Sequence, residues 1–226
     1  MRTPIVVAAA AALLALVASP AVAETWEAPD RRADVRATPI RLDVPSRADD
    51  CDGPRDRRVR NDRRRDILKL SVDHQAEAVV LTLSMRDVAR RDAGTTYALH
   101  VRTPKEAYSL DVTRYSPGGD LEVFFAQEPD YPSPSEIKDC SFTIVSTGLP
   151  CEGLVADAGT RLDIVTVTLP RSCLRLPRWV RVGAEVHGYS RQTEPGHFTV
   201  FSDAWTRRGE RPHGFLPPFG PRVHAG

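Results

Sequence analysis

A stretch of alternating residues, DILKLSVDHQAEAVVLTLSM at residues 66–85, constrains the fold more than any other part of the sequence. Apolar residues take every second position on both sides of a polar turn at residues 73–77: first Leu68, Leu70 and Val72, then Val79, Leu81, Leu83 and Met85. Side chains alternate between the two faces of a strand, so each run has one apolar face. The pattern predicts a β-hairpin packed on a second sheet, because an isolated hairpin is only marginally stable in water.

Further short alternating runs follow along the chain. They lie at residues 95–103, 108–115, 121–126, 141–147, 161–169, 179–189 and 197–201. Turn sequences such as SPGGD separate them, and a single helical turn is predicted at residues 172–174. The sequence therefore predicts an all-β fold, an antiparallel β-sandwich of jelly-roll or immunoglobulin-like type with about nine strands.

The N-terminus has the pattern of a secretory signal peptide at residues 1–23. Arg2 precedes an apolar run, and small residues ending at Ala23 predict cleavage there and a secreted, extracellular protein. The apolar run is shorter than the roughly 20 residues that span a bilayer, so we expect no membrane span. The rest divides into a polar segment with an edge strand at residues 24–47, the sandwich at residues 48–203, and a Pro-rich, poorly ordered tail at residues 204–226.

The net charge of the chain limits the classes of molecule that the protein is expected to bind. Arg2 is one of 31 basic residues, so the chain after Ala23 balances its 30 acidic residues and has no formal net charge. That balance argues against a nucleic-acid binder or a binder of anionic membranes. We expect an extracellular polysaccharide or a cell-surface protein as partner.

The chain has four cysteines, at Cys51, Cys140, Cys151 and Cys173. An even number in an exported chain predicts two disulfides. No two of them are spaced as C-x-x-C, so a zinc site is not expected. The four cysteines can pair in three ways, and the sequence alone does not choose among them.

A densely charged segment, DDCDGPRDRRVRNDRRRD, fills residues 49–66. One interpretation is a solvated loop whose opposite charges neutralise one another. The other is a calcium site, since calcium takes six to eight oxygen ligands. Its ligands would be Asp49, Asp50, Asp52, Asp62 and Asp66. The spacing matches no EF-hand loop, and the interleaved arginines repel a cation.

Two groups of motifs resemble a known family. They are DD-x-DG at residues 49–53, DIL-x-L-x-VDH at residues 66–74 with the strand at residues 79–85, and later PRSCL at residues 170–174 and PRWVRVG at residues 177–183. These resemble secreted sandwich domains related to the DOMON group and to family-nine carbohydrate-binding modules. The motifs are mainly structural, so they specify fold better than activity.

The resemblance covers about residues 48–203 and implies a disulfide pairing. In the proteins that this segment resembles, the cysteine after the glycine-containing turn pairs with the one in the Ser-Cys-Leu link. By that analogy Cys151 pairs with Cys173, and Cys51 with Cys140.

The resemblance also implies carbohydrate binding on exposed aromatic rings. Trp179, Trp205 and Tyr189 are the candidates, although a tryptophan beside an alternating strand packs in the core more often than it binds a ligand. Haem, the cofactor of the cytochrome branch of the DOMON group, would need Met85 as an axial ligand. Met85 lies on the predicted core face, so no haem is expected.

No catalytic motif is present. The sequence has neither a G-x-S-x-G elbow nor a glycine-rich phosphate loop after a strand. We therefore predict a secreted, non-catalytic carbohydrate- or ligand-binding module. The alternative is a stand-alone structural or protein-interaction domain at the cell surface. An extracellular enzyme is the third hypothesis, because the paired carboxylates of glycosidases leave no sequence signature.

Overall fold

The protein is an antiparallel β-sandwich in a computed structural model that describes residues 23–41, 57–88, 94–129, 146–189, 197–206 and 216–226. Within those residues it has thirteen strands. The strands are β1 Glu24–Pro29, β2 Arg36–Arg41, β3 Arg57–Arg58, β4 Ile67–His74, β5 Ala78–Met85, β6 Thr95–Arg102, β7 Ala107–Arg114, β8 Glu122–Gln127, β9 Val155–Gly159, β10 Ile164–Pro170, β11 Trp179–Tyr189, β12 His197–Ala204 and β13 Val223–His224.

The strands form two sheets. The smaller sheet has the order β1-β4-β5-β10-β9, and the larger has the order β3-β2-β12-β11-β6-β7-β8, with β13 paired to β11. Their inward side chains form one core, in which Leu70, Leu81, Leu99, Leu110 and Val182 are almost completely buried. The predicted all-β antiparallel sandwich is thus confirmed.

The strand count exceeds the predicted nine for a physical reason. β1, β3 and β9 are sheet edges and β13 has two residues. Edge strands are buried on fewer sides, so they need little apolar alternation to be stable.

The predicted helical turn is confirmed as the 3-10 turn Arg171–Leu174. None of the described residues forms a helix long and apolar enough to cross a membrane.

The predicted hairpin forms, with one correction at its start. β4 and β5 pair with Val72 opposite Leu81 and Leu70 opposite Leu83, as the alternation requires. A register shift between Ile67 and Lys69 turns Ile67 into the core, where it is fully buried, and leaves Leu68 half-buried outside it. A bulge of this kind adds one residue to the strand. The side chains before it therefore point to the face opposite to the one that strict alternation predicts.

The segments on both sides of residues 48–203 also join the sandwich. β1 pairs with β4, β2 pairs with β12, and the rings of Trp26 and Trp205 meet edge to face with centroids 5.3 Å apart. Residues 216–226, predicted as a poorly ordered tail, pack on β11. Their backbone is held there by bonds such as Gly220 N–H to Val182 O at 2.8 Å.

β11 shares one edge between two partners. Its residues 185–189 pair with β12, while Trp179 and Val180 pair with β13. The tail therefore continues the sheet where β12 leaves it.

Cys151 and Cys173 form a disulfide, which confirms the first pairing that the family resemblance implies. It joins the turn before β9 to the 3-10 turn after β10. Cys51 and Cys140, together with residues 1–22, lie outside the described residues.

Candidate functional site

The outer face of the larger sheet carries a group of titratable side chains. Alternation along β6, β7 and β11 directs one set of residues to the core and the other set away from it. The second set includes His100, Asp111, Glu185 and His187; together with Glu128, which directly follows β8, we call these residues the His100 cluster.

The strand register aligns part of this cluster in one row. Glu185 lies opposite Ala98, Ala98 opposite Asp111, and Asp111 opposite Phe124, across β11, β6, β7 and β8. The phenyl ring of Phe124 is 43% exposed. The row therefore places an exposed aromatic ring beside the Asp111 carboxylate, and the small Ala98 separates Asp111 from Glu185.

His100 lies between two glutamates. Its Nδ1 is 2.7 Å from Glu128 Oε1 and its Nε2 is 3.5 Å from Glu185 Oε1, while its side chain is 6% exposed. Burial alone lowers the pKa of His100, but the interactions with Glu128 and Glu185 outweigh it and raise the pKa to about 9. With this raised pKa, His100 is a cation at neutral pH that donates from Nδ1 to Glu128 Oε1, while its Nε2 faces Glu185 Oε1 without a hydrogen bond.

Two further carboxylates of the cluster, Glu128 and Asp111, have environments that differ from water. Glu128 Oε2 is buried and has no hydrogen-bond partner in the described structure. Burial raises the pKa of Asp111, and the charges of Glu185 and Glu128 raise it further, against the opposing effects of His187 and His100. Glu128 is too buried for a ligand to reach, so the half-buried Asp111 and Glu185 are the carboxylates that can accept from the hydroxyl groups of a ligand.

A second group of carboxylates lies at the seam between the sheets. Asp30 follows β1, Asp34 precedes β2, and Asp203 belongs to β12; one oxygen of each lies within 4.8 Å of the others. We call these three residues the Asp30 cluster. Asp203 Oδ2 accepts from the Ile67 N–H at 2.8 Å, and Asp30 Oδ1 accepts from the Thr206 N–H at 3.1 Å.

Burial and mutual repulsion perturb all three carboxyl groups. Burial, followed by the charges of Asp30, Asp34 and Asp66, raises the pKa of Asp203 to about 9. Burial chiefly raises the pKa of Asp30 to about 7 and also raises that of Asp34. The seam thus holds carboxyl groups that are hard to ionise together.

The residues predicted as calcium ligands are only partly described. Asp49, Asp50 and Asp52 lie outside the described residues. Asp62 is paired with Arg65 at 2.7 Å. Asp66 is fully buried, accepts from the Ala33 N–H with both oxygens, and contacts Arg86 at 3.2 Å. Sequence spacing could not find the Asp30 cluster, because its members lie up to 173 positions apart.

The three predicted aromatic platforms have different environments. Trp205 is fully buried and its Nε1 donates to Ala28 O, so it is a core residue and not a surface platform. Trp179 is half-buried, with the Arg222 guanidinium 4.7 Å from its ring centroid. Tyr189 is 56% exposed and lies beside Phe198. Phe124 was missed, although the core position of its neighbour Phe125 implies that Phe124 faces outward.

Fold and site together define a disulfide-bonded antiparallel β-sandwich with a polar outer face. Neither a family model, a curated protein nor a solved structure matches this chain. Its function is therefore inferred from the geometry of its own residues.

Proposed function

We propose that this protein is an exported, non-catalytic module that binds carbohydrate on the outer face of its larger sheet. The observation that carries the proposal is the row of Glu185, Asp111 and Phe124 across four neighbouring strands. A sugar presents hydroxyl groups around its rim and apolar C–H groups on its ring face. The row offers carboxylate acceptors for the hydroxyls and an exposed ring for the C–H face.

The electrostatics of the His100 cluster support the same ligand class. Protonated His100 partly neutralises Glu128 and Glu185, so the buried His100–Glu128 pair adds little net charge beneath the surface that Asp111 and Glu185 present. Neutral polyols match such a surface better than strongly charged ligands do, because neither sign of charge dominates it.

Export is supported by two features. The first 23 residues have the signal-peptide pattern, and Cys151 is bonded to Cys173. Disulfides persist in oxidising compartments outside the cytosol. A polysaccharide of the cell wall or matrix is the ligand source that this location offers.

The test is binding of the mature protein to an array of glycans and cell-wall polysaccharides. We expect saturable binding that weakens roughly 3- to 10-fold in Phe124→Ala, since an aromatic contact contributes about 0.5–1.5 kcal/mol. We also expect weaker binding in Glu185→Gln, which removes a charged acceptor while keeping its size.

Leu162→Ala is the matched control, because Leu162 is 70% exposed in the turn between β9 and β10, away from the outer face. Binding that is absent, or equal in Phe124→Ala and the control, would contradict the proposed site. Cleavage of a bound polysaccharide would contradict the non-catalytic assignment. Capture of a protein partner in place of any glycan would favour the interaction-domain alternative.

A further inference from the structure

We propose that His74 is a pH-sensitive latch, which holds the last strand, β13, on the sandwich at neutral pH and releases it in acid. The latch joins the end of β4 to β13: His74 Nδ1 lies 2.9 Å from Val223 O, 149 positions later. The proposal is independent of carbohydrate binding, because neither residue belongs to the His100 cluster.

The hydrogen bond to Val223 fixes the protonation state of the His74 ring. A carbonyl oxygen can only accept, so Nδ1 carries the proton and donates it. Nε2 of the neutral ring is then unprotonated. It is buried and has no hydrogen-bond partner in the described part of the chain, and His74 is 0% exposed. A second proton would therefore create a cationic N–H that nothing accepts, which is costly in a buried position.

The charged groups that act on His74 come from three elements. They are Arg171 of the 3-10 turn, His224 of β13, and Glu24 of β1, which lies opposite His74. Arg171 and His224 disfavour a positive charge on the ring. Glu24 favours it but has the smallest effect of the three. The surroundings of His74 therefore favour the neutral ring.

The neighbouring residues of the smaller sheet supply no charge on this side. β5 faces His74 with the apolar Val79. Asp73, the residue before His74, alternates to the other face of β4, where it accepts from Thr25 Oγ1 and Gln75 Nε2. Neither of these neighbours therefore stabilises a protonated ring.

The sign of the pH dependence follows from these surroundings. Burial lowers the pKa of His74 below its usual value of 6.5, while the hydrogen bond to Val223 opposes the shift. A ring released into water regains its usual pKa, so protons bind the released state better than the closed state. The closed state is therefore fully favoured above pH 6.5 and is lost progressively below it.

β13 is the wall of this site that opens most easily. It has two residues and, in the described structure, pairs with β11 alone, at Trp179 and Val180. β4, in contrast, is paired along its length with β1 on one side and β5 on the other. A short strand with few backbone bonds opens at a lower free energy than a central strand does.

Release of β13 would change the surface of the molecule. Val223, which is 1% exposed in the closed state, would become accessible, and Trp179 and Val180 would lose their partner strand. An unpaired strand edge presents backbone N–H and C=O groups to other chains. Acid therefore converts a closed edge of the larger sheet into an open one.

The test is hydrogen exchange of the mature protein between pH 7.5 and pH 5.0, expressed as protection relative to an unstructured chain at the same pH. The reporters are the Ala225 N–H, which bonds to Arg178 O, and the Gly226 N–H, which bonds to His74 O. We expect their protection to fall roughly 3- to 30-fold, since protonation of one group changes an equilibrium by at most tenfold per pH unit. Amides in β5 are the internal reference and should lose less protection.

Three variants assign the effect to His74. His74→Asn keeps a side-chain N–H donor but does not titrate, so the protection of Ala225 should become independent of pH. His224→Gln removes the exposed neighbouring histidine and should keep the pH dependence. Glu24→Gln removes the carboxylate that accepts from the His224 N–H and should keep it as well.

Three results would overturn the proposal. The first is a wild-type loss of protection at Ala225 no larger than that in β5. The second is a pH dependence that survives in His74→Asn. The third applies even where His74→Asn does not fold: in the wild type, NMR would show the His74 ring taking up its second proton while Ala225 stays protected. A negative glycan array does not affect any of these readouts, because they measure the tail directly.

Discussion

At the scale of single residues, Asp203 has the most unusual environment. An aspartate in an unfolded chain has a pKa of about 3.9. In the fold, burial and the neighbouring carboxylates raise the pKa of Asp203 to about 9. Between these values the folded protein holds a proton that the unfolded chain releases, so Asp203 favours folding most at acid pH and progressively less as the pH rises toward 9.

The sign of this pH dependence gives a prediction for the stability of the metal-free protein. The stability of the wild type relative to Asp203→Asn should fall steadily from pH 5 to pH 8, because the Asn variant cannot lose a proton there. Unfolding temperatures of both proteins in a chelator, measured at each pH, check it. If the stability of the wild type relative to Asp203→Asn were constant, or grew with pH, the raised pKa of Asp203 would be contradicted.

Taking the difference from Asp203→Asn is necessary because two histidines also titrate in this range, as does Asp30, whose pKa is about 7. The pKa of His100 is raised to about 9, so its contribution to stability is lost above about 6.5. Burial lowers the pKa of His74, so acid below about 6.5 destabilises the fold through that residue. Both effects are common to the two proteins and cancel in the comparison.

At the scale of elements, the contact between β11 and the C-terminal tail depends on one glycine. A Cβ atom at Gly183 would lie 2.9 Å from Pro218 O and 3.1 Å from Pro217 Cγ. The tail is also held by Arg181, whose Nε donates to Gly220 O at 2.8 Å, and by the Arg102 guanidinium, 4.2 Å from the Phe219 ring centroid. Gly183 thus sets how closely the tail approaches the sheet.

Gly183→Ala should therefore loosen the tail. We expect a loss of about 1–3 kcal/mol in the free energy of unfolding, as for an added group in a packed contact. We also expect faster hydrogen exchange at Gly220 and Ala225, whose N–H groups bond to β11 and to Arg178. Gly159→Ala is the control, because its nearest contact is 3.4 Å away. Equal exchange in the two variants would contradict this role.

The elements differ in how far the sequence predicts them. The β4–β5 hairpin follows from alternation, since Val72, Leu81 and Leu83 lie on the face that the pattern assigns to them. The bulge at its start does not follow, because it depends on Asp203, 136 positions after Ile67, accepting the Ile67 N–H. Tertiary contacts of this kind leave no local signal.

The same limit applies to the candidate sites. The outward direction of Phe124 could be inferred from the core position of its neighbour Phe125. The Asp30 cluster could not, because neither DRRAD at residues 30–34 nor FSDAW at residues 201–205 contains a metal-binding spacing. The prolines of the tail indicate disorder in isolation, whereas Pro217 and Pro218 pack on Gly183 in the fold.

At the scale of the whole molecule, the Cys151–Cys173 disulfide closes a loop around β9 and β10. The two cysteines are 22 positions apart and flank the edge of the smaller sheet. β9 is the last strand of that sheet, so it has a sheet partner on one side only. The bridge therefore restrains one edge of the smaller sheet, where β9 pairs with β10 alone.

Removing this bridge should lower stability without changing the fold. The double variant Cys151→Ser, Cys173→Ser should lose about 3 kcal/mol, the loop-entropy value for this separation, and unfold roughly 6–12 °C lower. The double variant is preferable to a reductant because it leaves any other disulfide intact. An unchanged unfolding temperature would show that the bridge does not restrain the unfolded chain.

The shared edge of β11 also determines when folding can finish. Residues 179–182 stay without a partner on that edge until residues 220–224 arrive, and the His224 N–H then bonds to Glu24, 200 positions earlier. A chain whose residues 220–224 are still inside the ribosome cannot make these contacts. Pairing along this edge of β11 is therefore complete only when residues 220–224 have joined the sheet.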